Sequence, residues 1–453
     1  MGPVTTGGAS ATPVPVSHNT AADQALYRKV SWRIVPLLLV CYIVAYLDRI
    51  NIGYAQLQMK QTLTFGDAVY GLGAGIFFLG YFLFEVPSNM MLEKVGARKT
   101  LLRIMFCWGI VAAGMMFVTT PTQFYVLRFL LGVFEAGFFP GLILYLTYWY
   151  PSALRGQLIA TLMCATTLAG VVAGPLSGGI MKYFDGANGW HGWQWLFLVQ
   201  GLPASVLGIV AYFYLQDTPS QAHWLTAGEK ARLQHNLSSE TGLVQGASHT
   251  GMGQLLRDPK VYALSLVYFL LLGATYTMVF WLPTLIKALG VNDMLTIGLY
   301  AAIPNAIGVV GMILIGRSSD RMKERRWHFF ACVALAAAGL FVTTRVQGEL
   351  VPTMVMLSLA VIGIASATPL FFTIVSEYLS KASAAVGIAL ISSLGNLGAA
   401  VSPSITGLVT ARTGSPVYSM YLVVALYVAT GLLLLWVVRP RPAPGVARRA
   451  APA

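Results

Sequence analysis

The chain has 453 residues, of which 57% are hydrophobic and only 10% charged. Soluble domains carry about a quarter charged residues, so a globule with a water-covered surface is excluded. The net charge of +13 does not point to nucleic acid, because Lys and Arg lie between apolar segments instead of gathering on one folded face.

Residues 1–30 are rich in Ala, Thr, Pro, Gly and Val and lack the basic start and short apolar run of a signal peptide. They read as a disordered cytoplasmic tail. Apolar segments follow at 34–56, 70–92, 101–119, 122–147, 156–182 and 193–215. Each has the roughly 20 residues needed to cross a hydrocarbon core of about 30 Å, and lipid forces such segments to be helical because it offers backbone groups no partner. A polar linker, 216–259, interrupts the pattern, with Thr226 placed to cap a short helix. Six further segments run at 260–288, 294–316, 328–346, 350–376, 383–411 and 416–438, before a tail at 439–453. The expected fold is an all-α membrane protein of twelve transmembrane helices in two pseudo-symmetric six-helix bundles, 31–215 and 260–438.

The halves repeat. Asn89-Met-Met-Leu-Glu-Lys-Val-Gly-Ala-Arg-Lys99 matches Gly316-Arg-Ser-Ser-Asp-Arg-Met-Lys-Glu-Arg-Arg326, and Gly174-Pro175 matches Ser402-Pro403, at offsets of 227 and 228 residues. A duplicated bundle with a midplane site between its halves suits alternating access by rocking. Of the 29 Lys and Arg, 22 fall in the tails and every second connection. Cytoplasmic loops hold that excess, so both termini and the linker are expected in the cytoplasm, in the inner (plasma) membrane. All four cysteines, Cys41, Cys107, Cys164 and Cys332, lie inside apolar segments. They read as small core residues.

Charges inside lipid are costly, which makes intramembrane ionisable residues functional candidates. They are Asp48 and Arg49 in the first span, Glu85 in the second, and Arg128 and Glu135 in the fourth. At 1.5 Å per residue, Asp48 and Arg128 lie at matching depth and are expected to meet, with Glu135 two turns deeper on the Arg128 face and Arg49 rotated about 100° from Asp48. The layout suggests that Asp48 and Glu135 take up protons while a guanidinium holds a substrate carboxylate, its planar fork suiting bidentate contact. The plainer reading is a static Asp48–Arg128 pair locking two helices. Glu85 reads as a packing or gate hydrogen bond and Glu377 as a gate contact. Tyr46, Tyr81, Tyr276 and Trp281 can line a cavity, although aromatics also pack and anchor. Asn396, a lone amide in Ser392-Ser-Leu-Gly-Asn-Leu-Gly398, either bridges helices or faces the cavity.

The Asn89 to Lys99 loop, Arg128-x-x-x-Gly132 and Gly170-x-x-x-Gly174-Pro175 resemble motifs of the major facilitator superfamily. Asn89 departs from that family's usual Gly, whereas the Gly316 copy keeps it. Tyr46-Leu-Asp-Arg-Ile-Asn51, Phe84-Glu-Val-Pro-Ser-Asn89, Phe134-Glu-Ala-Gly-Phe-Phe-Pro140 and Ser393-Leu-Gly-Asn396 are similar to the anion:cation symporter family within it, with bacterial tartrate carriers closest in appearance. The resemblance implies proton sites at Asp48 and Glu135, with Arg128 as coupling partner of Asp48, and substrate contacts from Arg49, Tyr46, Tyr81 and Asn396. Glu93 and Arg98 in one loop copy, and Asp320 and Arg321 in the other, are the matching gate positions. The expected activity is proton-coupled import of a small organic anion, a tartrate-like dicarboxylate, a sugar acid or an aromatic acid, with sodium as the alternative ion, by a monomer. Proton-coupled export of organic acids or drugs is the rival. No Ser/His/Asp or metal-ligand arrangement appears, so neither an enzyme nor a metal or cofactor site is expected.

Overall fold

Fifteen α-helices make up most of the described part of the computed structural model, which comprises residues 21–63, 65–244, 256–346, 348–379 and 384–438. In the first half these are α1 Ala21–Ile50, α2 Ile52–Thr62, α3 Asp67–Val95, α4 Ala97–Gly114, α5 Pro121–Glu135, α6 Phe138–Thr147, α7 Ser152–Tyr183 and α8 Gly192–Tyr214. The linker contributes α9 Ala227–Val244. The second half holds α10 Pro259–Lys287, α11 Met294–Met322, α12 Arg326–Thr343, α13 Leu350–Tyr378, α14 Ala384–Thr413 and α15 Pro416–Val437. Joining α1 to α2 and α5 to α6 leaves twelve segments long and apolar enough to cross a membrane.

The helix ends follow local chemistry. Thr120 and Gln123 form a reciprocal capping box ahead of Pro121 at the start of α5. Asp258, Asp293 and Ser415 cap α10, α11 and α15. The spans fall where expected, but the first and fourth are each broken in two, the helix from Met294 runs on to Met322, and one start is displaced. α1 starts at Ala21, inside the stretch read as a disordered tail to residue 30. Those extra turns are held by the linker: Arg232 Nε lies 2.7 Å from Asp23, Lys29 pairs with Glu229 at 2.9 Å, and Leu233 is buried. Residues 1–20, 245–255 and 439–453 lie outside the described residues, as do the side chains of Glu93 and Cys164. Of the other cysteines, none forms a disulfide.

The two halves meet along α3 with α14 and α7 with α11. Small residues make this approach possible. A Cβ on Gly174 would fall 2.1 Å from the Gly298 carbonyl oxygen, one on Gly298 would fall 2.0 Å from that of Gly174, and one on Gly75 would fall 2.1 Å from that of Ala400. At the face opposite the termini the closure continues in polar contacts. Lys182 pairs with Asp293 at 2.8 Å, Lys287 donates to the Leu57 carbonyl at 3.2 Å, and Gln56 and Tyr70 both donate to the Phe280 carbonyl. That face is sealed. At the terminal face the Arg98 backbone N–H donates to Asp217 of the linker and its side chain to the Tyr212 carbonyl, while Arg325 reaches both Asp320 and Glu377. Arg321 is exposed there.

Candidate functional site

The charged residues of the first and fourth spans fall where those spans are irregular. Asp48 and Arg49 end α1, just before the single-residue interruption at Asn51. Glu135 is the last residue of α5. The chain then passes through Ala136 in an extended conformation and Gly137 at φ +82° before α6 begins. A Cβ on Gly137 would lie 2.6 Å from Ser88 Oγ, so both the turn and the packing require glycine. Broken helices that bring polar groups to mid-membrane are a recurring feature of carriers.

Arg49 is the hub. Its Nε donates to Glu135 Oε1 at 3.1 Å, and its Nη2 makes an ion pair with the same oxygen. Its Nη1 donates to the Tyr276 hydroxyl at 3.1 Å. One guanidinium therefore ties a buried carboxylate of the first half to α10 of the second. Its centre lies 5.4 Å from the ring of Tyr81 and 5.6 Å from that of Phe77, within cation–π range. The Arg49 side chain is 16% exposed and that of Glu135 is 0% exposed, so the arginine is the member of the pair that solvent reaches. Glu135 Oε2 is buried with no donor.

Asp48 and Arg128 do not pair, contrary to the depth argument. Trp108 Nε1 donates to Asp48 Oδ2 at 2.8 Å and Asn51 Nδ2 to Oδ1 at 3.4 Å. Arg128 Nε donates to the Gly73 carbonyl at 3.0 Å, its guanidinium lies 5.0 Å from the Phe77 ring, and Nη2 has no partner. They turn to different neighbours, Asp48 to α4 and Arg128 to α3. Sequence reasoning missed Trp108, whose indole donor is the strongest contact of Asp48, because a Trp in an apolar span looks like ordinary packing.

The remaining candidates divide. Tyr46 is partly exposed, and Tyr81 and Tyr276 are largely buried around Arg49. Trp281 is wholly buried at the sealed face, edge-on to Tyr70 at 5.0 Å, with its indole N–H unpartnered. Asn396 is half-buried beside Gly395, where a Cβ would fall 2.1 Å from the Tyr268 ring. Glu85 accepts from Ser393 Oγ at 2.9 Å across the two halves. Among the described residues no group of His, Cys, Asp or Glu is arranged to hold a metal.

Outside the spans, Asp293 has its carboxyl pushed down to about 2, first by the hydrogen bond from Lys182 and then by those from Thr296.

Residues 38–400 match the Major Facilitator Superfamily model. The chain is 44% identical to the Pseudomonas putida metabolite transport protein NicT over 93% of its length and 94% of the relative. It is also 44% identical to an Agrobacterium vitis protein named for tartrate transport, over 93% of each chain. An Acinetobacter baumannii quinolone resistance transporter is 39% identical over 92% of this chain and 95% of that one. Among solved structures, a bacterial homologue of the human lysosomal transporter Spinster, inward-facing and occupied, superposes with a TM-score of 0.74 at 17% identity, covering 91% and 97% of the two chains. A D-xylose–proton symporter superposes at 0.69 and 14% identity, covering 90% and 98%. With twelve helices long and apolar enough to cross a membrane, in two contacting halves, and a charged cluster within them, the chain belongs to the Major Facilitator Superfamily and is a membrane transporter of small molecules.

Proposed function

We propose that this protein is a proton-coupled symporter that imports a small organic anion by alternating access. The observation that carries the reading is the Arg49 bridge, which joins Glu135 to Tyr276 and so links a buried carboxylate to the opposite half. A substrate carboxylate arriving at Arg49 competes with Glu135 for the same fork. Released from its cation in a desolvated pocket, Glu135 favours the protonated form. Proton and anion then bind together, and the loaded site is closer to neutral than either partner alone would leave it.

Asp48 is the second proton site and Arg128 the charge that senses it, through space rather than by contact. Tyr46, Tyr81 and Asn396 contact the substrate near Arg49. Trp281 joins them only when the far face opens. The halves, 31–215 and 260–438, rock about the midplane while the linker 216–259 joins them, and Glu85 with Ser393 closes the terminal side of the site. Glu93, Arg98, Asp320, Arg321 and Glu377 hold the gate loops. The Lys and Arg excess on the terminal side supports cytoplasmic termini in an inner membrane.

Reconstitution into liposomes tests the reading. An acidic exterior should drive accumulation of a radiolabelled organic anion above equilibrium, and a sodium gradient at equal pH should not. Accumulation only when the interior is acidic would overturn import in favour of exchange-driven export, the reading favoured by the resemblance to a quinolone resistance transporter.

A further inference from the structure

We infer that Trp108 is a positioning residue for Asp48: its indole holds one carboxylate oxygen, leaves the other to take up the proton in front of Asn51, and links that event to the chain break that follows Glu135. The inference rests on the reading of Asp48 as a proton site. All three residues are buried. Trp108 lies on α4, while Asp48 and Asn51 stand at the end of α1 and at the interruption after it.

An indole N–H donates and never accepts. Trp108 Nε1 lies 2.8 Å from Asp48 Oδ2, so that oxygen stays an acceptor in either state of the carboxyl. A proton arriving from water therefore bonds to Oδ1, and the carboxylate loses its charge. Such pairing is not automatic here. The equally buried Trp281 leaves its indole N–H unpartnered, and Trp193 donates to the Thr62 hydroxyl. Among the described residues Trp108 is the tryptophan that donates to a carboxylate.

Asn51 completes the arrangement from the other side. It stands at the N-cap position of α2, where Asn commonly accepts from the first turn, but its φ of −58° and ψ of −28° are helical and its side chain makes no cap. Its Nδ2 instead reaches Asp48 Oδ1 at 3.4 Å, and its own Oδ1 is buried with no donor. The amide donates to an ionised Asp48, and turned over about its last side-chain bond it accepts the new O–H. Asn51 thus serves both states of the carboxyl, whereas the Trp108 donor is stronger toward the charged one. Removing that donor favours the neutral form.

The charges around Asp48 are committed elsewhere. Arg49 is turned to Glu135 and Tyr276, and Arg128 to the Gly73 carbonyl. Of the other elements packed on α1, α2 carries only Lys60, which pairs with Asp67, α7 carries Arg155 and Lys182 near its two ends, and α8 has no Asp, Glu, Lys or Arg. On α4 the basic residues Arg98, Lys99 and Arg103 precede Trp108 by more than a turn.

The same indole meets the Phe138 ring edge-on, at 5.4 Å and 68°. Phe138 is the first residue of α6, joined to Glu135 through extended Ala136 and the Gly137 turn. One side chain therefore touches both Asp48 and the segment three residues beyond Glu135, so a change in its hold on Asp48 is delivered to the break.

Infrared titration of the purified full-length protein, without substrate, tests this through the protonated-carboxyl band that Asp48→Asn removes. In Trp108→Phe the midpoint of that band is expected to move to higher pH by about one unit, a tenfold tighter hold on the proton. A midpoint that stays in place or moves down overturns the inference alone; the absence of any band removed by Asp48→Asn overturns the proton-site reading and the inference with it. Fluorine NMR of the parent protein labelled with 5-fluorotryptophan decides the matter even if Trp108→Phe misfolds. One of the ten indole resonances should move with the Asp48 titration and stop moving in Asp48→Asn. A movement that is absent, or that persists in Asp48→Asn, overturns the role of Trp108.

Discussion

Arg49 directs two of its nitrogens at a single oxygen of Glu135 and leaves the other oxygen, Oε2, buried and without a donor. The pair is therefore incomplete in a way that a substrate or a proton can exploit. A bare carboxylate oxygen in a dry site is costly, and protonation removes that cost.

Replacing Arg49 by Lys keeps the charge but loses the fork that serves Glu135 and Tyr276 together. Substrate affinity is expected to fall roughly 10- to 150-fold, in line with the loss of one charge-assisted hydrogen bond of about 1.5–3 kcal/mol. Equilibrium binding checks this, and an unchanged dissociation constant would count against Arg49 as the anchor.

Glu135→Gln and Asp48→Asn remove the proposed proton sites while preserving shape. Uphill uptake driven by a pH gradient should be lost in both, whereas exchange of labelled for unlabelled substrate across liposomes survives. Normal accumulation in both variants would refute their assignment.

The close approach of Gly174 and Gly298 predicts that Gly174→Ala cannot occupy the sealed arrangement, since its methyl would lie 2.1 Å from a backbone oxygen. Overpacking of this kind costs about 1–3 kcal/mol, enough to shift the two-state population roughly 5- to 150-fold toward opening of the far face. A cysteine introduced behind that seal should become reactive to an impermeant thiol reagent in the variant and stay protected in the parent.

The Lys182–Asp293 latch carries a pH dependence of known sign. Bound to Lys182, Asp293 has a value of about 2, below its ordinary 3.8. The latch therefore contributes in full above that ordinary value and is lost as the pH falls from there toward 2. Labelling of the far face should be flat from neutrality to about pH 4 and rise below it, and Asp293→Asn should give the raised level at every pH.

The span count, the duplicated halves and the list of intramembrane charges were legible because lipid punishes exceptions: a charge among apolar residues stands out without any structure. The partners of those charges were not. Depth along a helix can be counted from spacing, but the direction a side chain takes depends on which neighbours offer donors. Asp48 and Arg128, placed at similar depth by that count, bind Trp108 and Gly73 instead of each other. The break after Glu135 was hidden as well, since Gly137 and Pro140 are common inside membrane spans and only the packing of Ser88 against Gly137 fixes a turn there.

By itself the sequence determined that this chain is a twelve-span, two-half membrane protein with a handful of buried charges, because hydropathy and period are local properties written residue by residue. Only the tertiary structure decided that Arg49 joins the halves, that the face opposite the termini is closed by glycine contacts, and that the rings of Phe77 and Tyr81 lie beside the guanidinium. Those facts depend on contacts between residues such as Arg49 and Tyr276, 227 positions apart, and no local pattern encodes which of many buried groups will meet.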